Sequence, residues 1–202
     1  MIGVVDYRAG NAPSVLYALA RLDVPARLAG PSDLESCDRL ILPGVGAART
    51  TLESLHDSGL VEPLTARIGA GAPFLGICIG LQVILDHSDE DDTPGLGLVA
   101  GEVRRFPDSV RVPQIGWNEV RFLSAHPLLD GLPAAGHFYF VNSYFAAPAD
   151  RGAVLGVTDY AGEFCSVLAA DNVVATQFHA EKSGELGLQL LANFAQWDGA
   201  SC

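Results

Sequence analysis

Between Pro73 and Gln82 the chain reads Pro-Phe-Leu-Gly-Ile-Cys-Ile-Gly-Leu-Gln. An apolar run of strand character breaks at glycine, presents one cysteine and passes at once into a helical pattern. A buried strand that turns directly into a helix is the βα junction of a parallel α/β sheet, and no other stretch constrains the fold as much. A thiol at that turn stands above the sheet with helix N-terminal amides beside it. The spacing is G-x-C-x-G, the thiol counterpart of the strained G-x-S-x-G elbow. Read alone, the run fits a small buried cysteine in an apolar strand equally well.

The same alternation continues on both sides. Met1–Asp6 reads as an apolar strand, and Pro13–Leu22 as a helix with Pro13 in its first turn and Val15, Leu16, Leu19 and Leu22 on one face. Arg39–Leu42 reads as a strand ending in Pro43-Gly44-Val45-Gly46, followed by a helix over Ala47–Ser58. Pro73–Ile77 then leads into a helix begun by Ile79. In the second half, strands are predicted over Val110–Phe122, Phe138–Phe145, Ala153–Asp159, Phe164–Ala169 and Val173–Phe178, with a closing amphipathic helix near Gly184–Trp197. No repeat or linker interrupts the pattern. The expected fold is α/β: one domain over residues 1–202, an open, mainly parallel sheet with helices on both faces and an antiparallel extension.

Composition narrows the class of partner. The 202 residues carry 24 acidic against 12 basic side chains, a formal charge of -12, which argues against nucleic acid. No apolar run approaches the roughly 20 residues of a membrane span, and no leader is recognisable after Met1. Cys37, Cys78, Cys165 and Cys202 lack metal-ligand spacing and read as reduced thiols of a cytoplasmic protein. The acidic stretch Asp86–Asp92 is conceivable as a metal site but reads better as a solvated loop.

A second motif completes the chemistry suggested by Cys78. Gln177-Phe178-His179-Ala180-Glu181-Lys182-Ser183 follows the apolar run Val173–Thr176, which puts His179 at the C-terminal end of a strand, where open α/β sheets bind ligands. Two apart on extended backbone, His179 and Glu181 would point the same way. The imidazole could then serve the Cys78 thiol as base, with the carboxylate fixing its tautomer. A helix dipole at Cys78 would favour the thiolate, and amides of Val45 and Ile79 could hold an oxyanion. Each piece has a plain structural reading too: a tight turn at Pro43–Gly46, and a surface His-Glu pair at a strand exit. His56 and His87 read as surface residues, His126 as part of a turn before Pro127, and His137 as structural.

Elbow, Gly-rich loop and H-x-E in this order resemble the class I glutamine amidotransferases. Asp6-Tyr7-Arg8-Ala9-Gly10-Asn11, Pro113-Gln114-Ile115-Gly116-Trp117-Asn118, Phe138–Tyr144 and His179–Gly184 are similar to blocks of one branch, the glutaminase subunits of imidazole glycerol phosphate synthase. The resemblance implies a catalytic triad of Cys78, His179 and Glu181, with Gly44, Gly46, Gln82, Ser143 and Tyr144 holding L-glutamine. It implies no cofactor or metal. It also implies ammonia transfer to a separate (β/α)₈ cyclase subunit in histidine biosynthesis, this chain being shorter than the roughly 250 residues of such a barrel. Asn11, Trp117, Tyr139 and Lys182 would lie near that partner, although Trp117 is equally readable as a core residue.

Four positions depart from the family pattern: Ala180 where H-P-E is usual, Gln114 and Asn142 where histidines are usual, and Arg8 in place of glycine. Alternatives remain open at this level: a glutaminase for another acceptor, such as chorismate or the pyridoxal phosphate precursor, and a non-catalytic regulatory module on the same fold.

Overall fold

The computed structural model describes residues 1–200; Cys202, one of the four expected thiols, lies outside the described residues. In chain order the elements begin with β1 (Ile2–Val5), α1 (Ala12–Arg21), β2 (Ala26–Ala29), β3 (Arg39–Leu42), α2 (Ala48–Asp57), α3 (Val61–Gly69), β4 (Phe74–Ile77) and a one-turn α4 (Ile79–Gln82). There follow β5 (His87–Ser88), β6 (Thr93–Pro94), β7 (Gly101–Arg105), β8 (Gln114–Phe122), β9 (Ala135–Asn142), β10 (Tyr144–Pro148), β11 (Val154–Asp159), β12 (Glu163–Ala170), β13 (Val173–Thr176) and α5 (Gly184–Gln196).

The strands β2-β1-β3-β4-β13 lie side by side and parallel, with β4 between β3 and β13. Beyond β13 the sheet continues antiparallel through β12, β10 and β7, and a branch through β11 reaches the β8–β9 ribbon. Side chains alternate across each parallel strand, because the strand period is two. Val4, Ile41, Leu75, Ile77 and Val174 pack with Val15 and Leu19 of α1 and Leu190, Leu191 and Phe194 of α5. Leu40, Leu42, Phe74 and Ala175 face the other way, onto Leu55 of α2 and Leu64 and Ile68 of α3. Helices therefore cover both faces. Burying each such side chain contributes on the order of 1.5–3 kcal/mol, so this core pins β4 and with it the elbow.

Several expectations shift in detail. The strand expected from Val110 starts at Gln114, since Pro113 has no amide for the ladder. The single strand expected over Phe138–Phe145 is two, broken at Ser143, because β9 pairs with β8 while β10 pairs with β7 and β12. The strand expected to reach Phe178 stops at Thr176, and helix α5 stops at Gln196. The acidic stretch is only partly a loop: His87–Ser88 pairs with Thr93–Pro94, leaving Asp89–Asp92 as the tip of a small hairpin.

Candidate active site

Cys78 sits between β4 and α4 with φ 56° and ψ -105°, a conformation that costs a non-glycine residue roughly 1–3 kcal/mol. The cost is met by its surroundings. The Cys78 amide donates to Thr176 O of β13 at 2.7 Å, and its carbonyl accepts from Leu81 and Gln82. Both flanking glycines are steric necessities. A Cβ on Gly76 would lie 2.6 Å from Gly80 O, and one on Gly80 would lie 2.1 Å from Leu42 O. The helix that follows is a single turn, Ile79–Gln82, so the dipole of a long helix is not available to the thiol. What remains is local: the Ile79 amide opens the turn and has no acceptor within it.

His179 reaches the same place from β13. Its amide donates to Tyr139 O of β9 at 2.9 Å, and its carbonyl accepts from Ser183 Oγ at 2.6 Å. Ser183 Oγ in turn accepts from the Tyr139 amide at 3.0 Å, so three elements clamp this segment. Residues Ala180–Lys182 form a 3₁₀ turn rather than the extended backbone expected from the sequence. The turn still brings His179 Nδ1 to 2.9 Å from Glu181 Oε1, and both side chains are almost completely buried. Because a carboxylate only accepts, Nδ1 carries the proton and Nε2 is left for other work. Ala180, in the place usually held by proline, is buried at the start of the turn, and packing rather than a fixed φ holds it there.

Asn11, expected near a partner interface, donates Nδ2 to Glu181 Oε1 at 2.5 Å, which makes it a brace for the carboxylate. Burial pulls the His179 imidazole down, while the adjoining Cys78 sulfur and Glu181 carboxylate pull it up and prevail, bringing its pKa to about 9. The sulfur's own hydrogen bonds are long: Sγ to Val141 O and Gln177 Nε2 to Sγ are both 3.9 Å. The sulfur is thus held loosely by the backbone and by Gln177, while hydrogen bonding and charge couple it to the His179 ring.

Cys78 and His179 open onto one cavity of about 300 Å³. Val45, Gly46 and Ile79 line one side, Ser143 and Tyr144 another, and Lys182 also reaches it. Gly44 stands behind this wall, where a Cβ would lie 2.1 Å from Ile79 Cγ2. Gln82 lines the cavity, but its Nε2 is already donated to Tyr144 O and to Gln177 Oε1, each at 3.1 Å. Glu90 also lines it, with Oε2 accepting from the Ala48 amide at the start of α2 at 2.7 Å. Sequence reasoning missed Glu90, whose only signal was membership of the acidic stretch.

The other histidines stay apart from this site. His56 is exposed, His87 pairs with Asp92, and His137 is exposed on β9. His126 is buried and caps the turn after it, Nδ1 accepting from the Leu128 amide at 3.0 Å. Among the described residues, no three or more His, Cys, Asp or Glu side chains gather in a way that could hold a metal. No helix among the described residues is long and apolar enough to cross a membrane.

Trp117 is not a core residue. It is 56% exposed beside Ile115 at 58%, and its ring meets that of Tyr139 at 6.1 Å in an edge-on arrangement. With the exposed Val141 these residues make an apolar face on the β8–β9 ribbon at the cavity's rim, of the kind that marks an interaction surface.

The model of the class I glutamine amidotransferase family matches residues 4–197. The chain is 45% identical over 196 residues to the imidazole glycerol phosphate synthase subunit HisH of Dehalococcoides mccartyi strain CBDB1, covering 96% of both chains. It is 43% identical to proteins of the same name from Chloroflexus aurantiacus, covering 99% of this chain and 97% of that one, and from Nitrosococcus oceani, covering 99% of each. Among solved structures, a glutamine amidotransferase superposes with a TM-score of 0.78 at 21% identity, covering 98% of this chain and 99% of that one. PurLQS from Thermotoga maritima gives 0.76 at 16% identity, covering 96% and 97%. These two share the fold.

Proposed function

We propose, from the premise that this chain belongs to the class I glutamine amidotransferase family and within it to the HisH group, that it hydrolyses glutamine at Cys78 and passes the ammonia to a separate cyclase subunit. The observation that carries the residue assignment is the convergence of a strained Cys78 and a buried His179–Glu181 pair on one cavity. In this reading the Cys78 sulfur attacks the side-chain carboxamide carbon of glutamine, and the carbonyl oxygen takes up the charge against the amides of Ile79 and Val45. His179 gives its proton to the leaving nitrogen as the C–N bond breaks, and ammonia departs. Water then adds to the thioester with His179 as base, the C–S bond breaks, and glutamate leaves with the thiolate restored. Glu181, braced by Asn11, keeps the imidazole in the required tautomer.

Gly44, Gly46, Gln82, Ser143 and Tyr144 serve the glutamine pocket; four of them line the cavity, and Gly44 shapes its wall from behind. Trp117 and Tyr139 supply an apolar docking face for a (β/α)₈ cyclase subunit of imidazole glycerol phosphate synthase, with Lys182 and Asn11 at its edge. A cytoplasmic setting belongs to the same reading and accords with the free thiols Cys37, Cys78 and Cys165. The test is glutamate release by the chain with and without the cyclase subunit and its ribonucleotide ligand. Strong stimulation that vanishes in Cys78→Ala is expected, while ammonia-driven synthesis survives. Equal, high rates from the isolated chain would refute the dependence on a partner.

A further inference from the structure

We propose that Gln177 is a further member of the catalytic apparatus, donating its side-chain N–H to the Cys78 thiolate while Gln82 orients it. This rests on the reading of Cys78 as nucleophile. Gln177 is 0% exposed, unusual for a residue type that mostly faces water. A buried carboxamide needs partners for its oxygen and its nitrogen, and those it has are informative. Oε1 accepts from Gln82 Nε2 at 3.1 Å, and Nε2 donates to Cys78 Sγ at 3.9 Å.

Which end of each amide is nitrogen follows from a fixed point. The Tyr144 carbonyl can only accept, and Gln82 lies 3.1 Å from it, so Gln82 must present its nitrogen there. Asn142 Nδ2 donates to the same carbonyl at 3.0 Å. Gln82 therefore offers a donor to Gln177, Gln177 must answer with its oxygen, and its nitrogen is left facing the sulfur. One backbone carbonyl sets the polarity of the whole chain of amides.

That polarity matters when the thiol ionises. As a thiol, Sγ can donate to Val141 O, 3.9 Å away. As a thiolate it loses that bond and meets the carbonyl oxygen as a repulsive neighbour. The Gln177 N–H then faces a full negative charge, and charge-assisted hydrogen bonds are shorter and about twice as strong as neutral ones. A donor to the charged form favours that form. With α4 only one turn long, such a side-chain donor takes on part of the task a longer helix would perform.

The experiment measures the pH dependence of Cys78 alkylation by iodoacetamide in the full chain, read on the Cys78 peptide by mass spectrometry. Glutamine binding plays no part in that reaction. Gln177→Met keeps the volume and removes the donor. Its alkylation midpoint should rise by about one pH unit and its rate at pH 7 fall about tenfold, the scale of one hydrogen bond to a charge. An unchanged midpoint in a folded Gln177→Met protein overturns the proposal.

Should that variant not fold, the wild-type chain decides. The Gln177 side-chain amide resonance must titrate with the Cys78 midpoint and stay flat in Cys78→Ser; a resonance indifferent to Cys78 ionisation overturns the proposal. Failure of the underlying glutaminase reading looks different, because Cys78 of the wild-type complex would then resist a thiol-reactive glutamine analogue.

Discussion

Replacing Glu181 by Gln keeps the shape of the site and removes one charge, which makes its consequences calculable. The carboxylate is buried against His179 at 2.9 Å, and the imidazole pKa of about 9 reflects two opposing influences. Burial lowers it; the Cys78 sulfur and Glu181 raise it by more. Without the carboxylate its share of the upward pull is lost while burial and the Cys78 sulfur still act, so the pKa falls part of the way back from about 9. At pH 8 the protonated fraction, about 0.9 in the wild type, would drop, and the ring would lose the charged acceptor that fixes its tautomer, starving the step that protonates the leaving nitrogen. General-acid contributions of this kind are worth 10²–10⁴-fold, so glutaminase turnover in the complex should fall by at least about a hundredfold.

The same shift predicts a stability change with a definite sign. A folded-state pKa raised above the unfolded value adds stability that is fully present below about 6.5 and is lost as pH rises through about 9. The span from 6.5 to about 9 corresponds to about 3 kcal/mol, shared between Cys78 and Glu181. Urea titrations should therefore show Glu181→Gln destabilised at pH 6 and much closer to wild type at pH 10, with an NMR titration of the His179 ring giving the pKa directly. A Glu181→Gln protein whose imidazole still titrates near 9, or whose stability deficit is the same at both pH values, would refute this account of the pair.

Gly80→Ala places a methyl 2.1 Å from Leu42 O, backbone that cannot swing aside, so chemical denaturation should reveal a loss of about 3 kcal/mol or more. Trp117→Ala should leave the melting temperature of the isolated chain nearly unchanged, because the indole is exposed, yet weaken binding of the cyclase subunit at least about tenfold by calorimetry. His126 is held below its ordinary pKa mainly by burial, with Asp130 opposing. The unfolded chain thus takes up a proton that the folded one resists, so stability should fall as pH drops below about 6.5, and His126→Asn should flatten that part of the melting curve.

The elbow was legible because close packing writes itself into glycine spacing: Gly76 and Gly80 are where a side chain would strike backbone. The partnership of His179 with Glu181 was legible too, but its geometry was not. Two-residue spacing suits an extended strand, and the chain uses a 3₁₀ turn whose signal, Ala180–Lys182, carries no periodicity. Glu90 was hidden by its neighbours, since four acids in a row at Asp89–Asp92 look like a solvated tip, and only the fold brings one of them back to the α2 amide. The break at Ser143 was invisible because both sides are β-prone and the change is one of pairing partner. Strand β2 escaped notice for the opposite reason: as an edge strand it leaves Arg27 and Leu28 exposed and shows no alternation.

Strand β9 has no idle side. Phe138 and Phe140 enter the core, and Phe138 stacks on Phe178 at 4.2 Å. Tyr139 and Val141 point outward at the proposed docking face, while their carbonyls hold the His179 amide and face the Cys78 sulfur. Docking side chains and active-site carbonyls therefore belong to the same two residues. Anything that seats on that face leans on the scaffold of the catalytic pair, and substitutions along β9 will not separate affinity from turnover. A variant library confined to this strand should scatter along one diagonal of binding against rate rather than filling the plane.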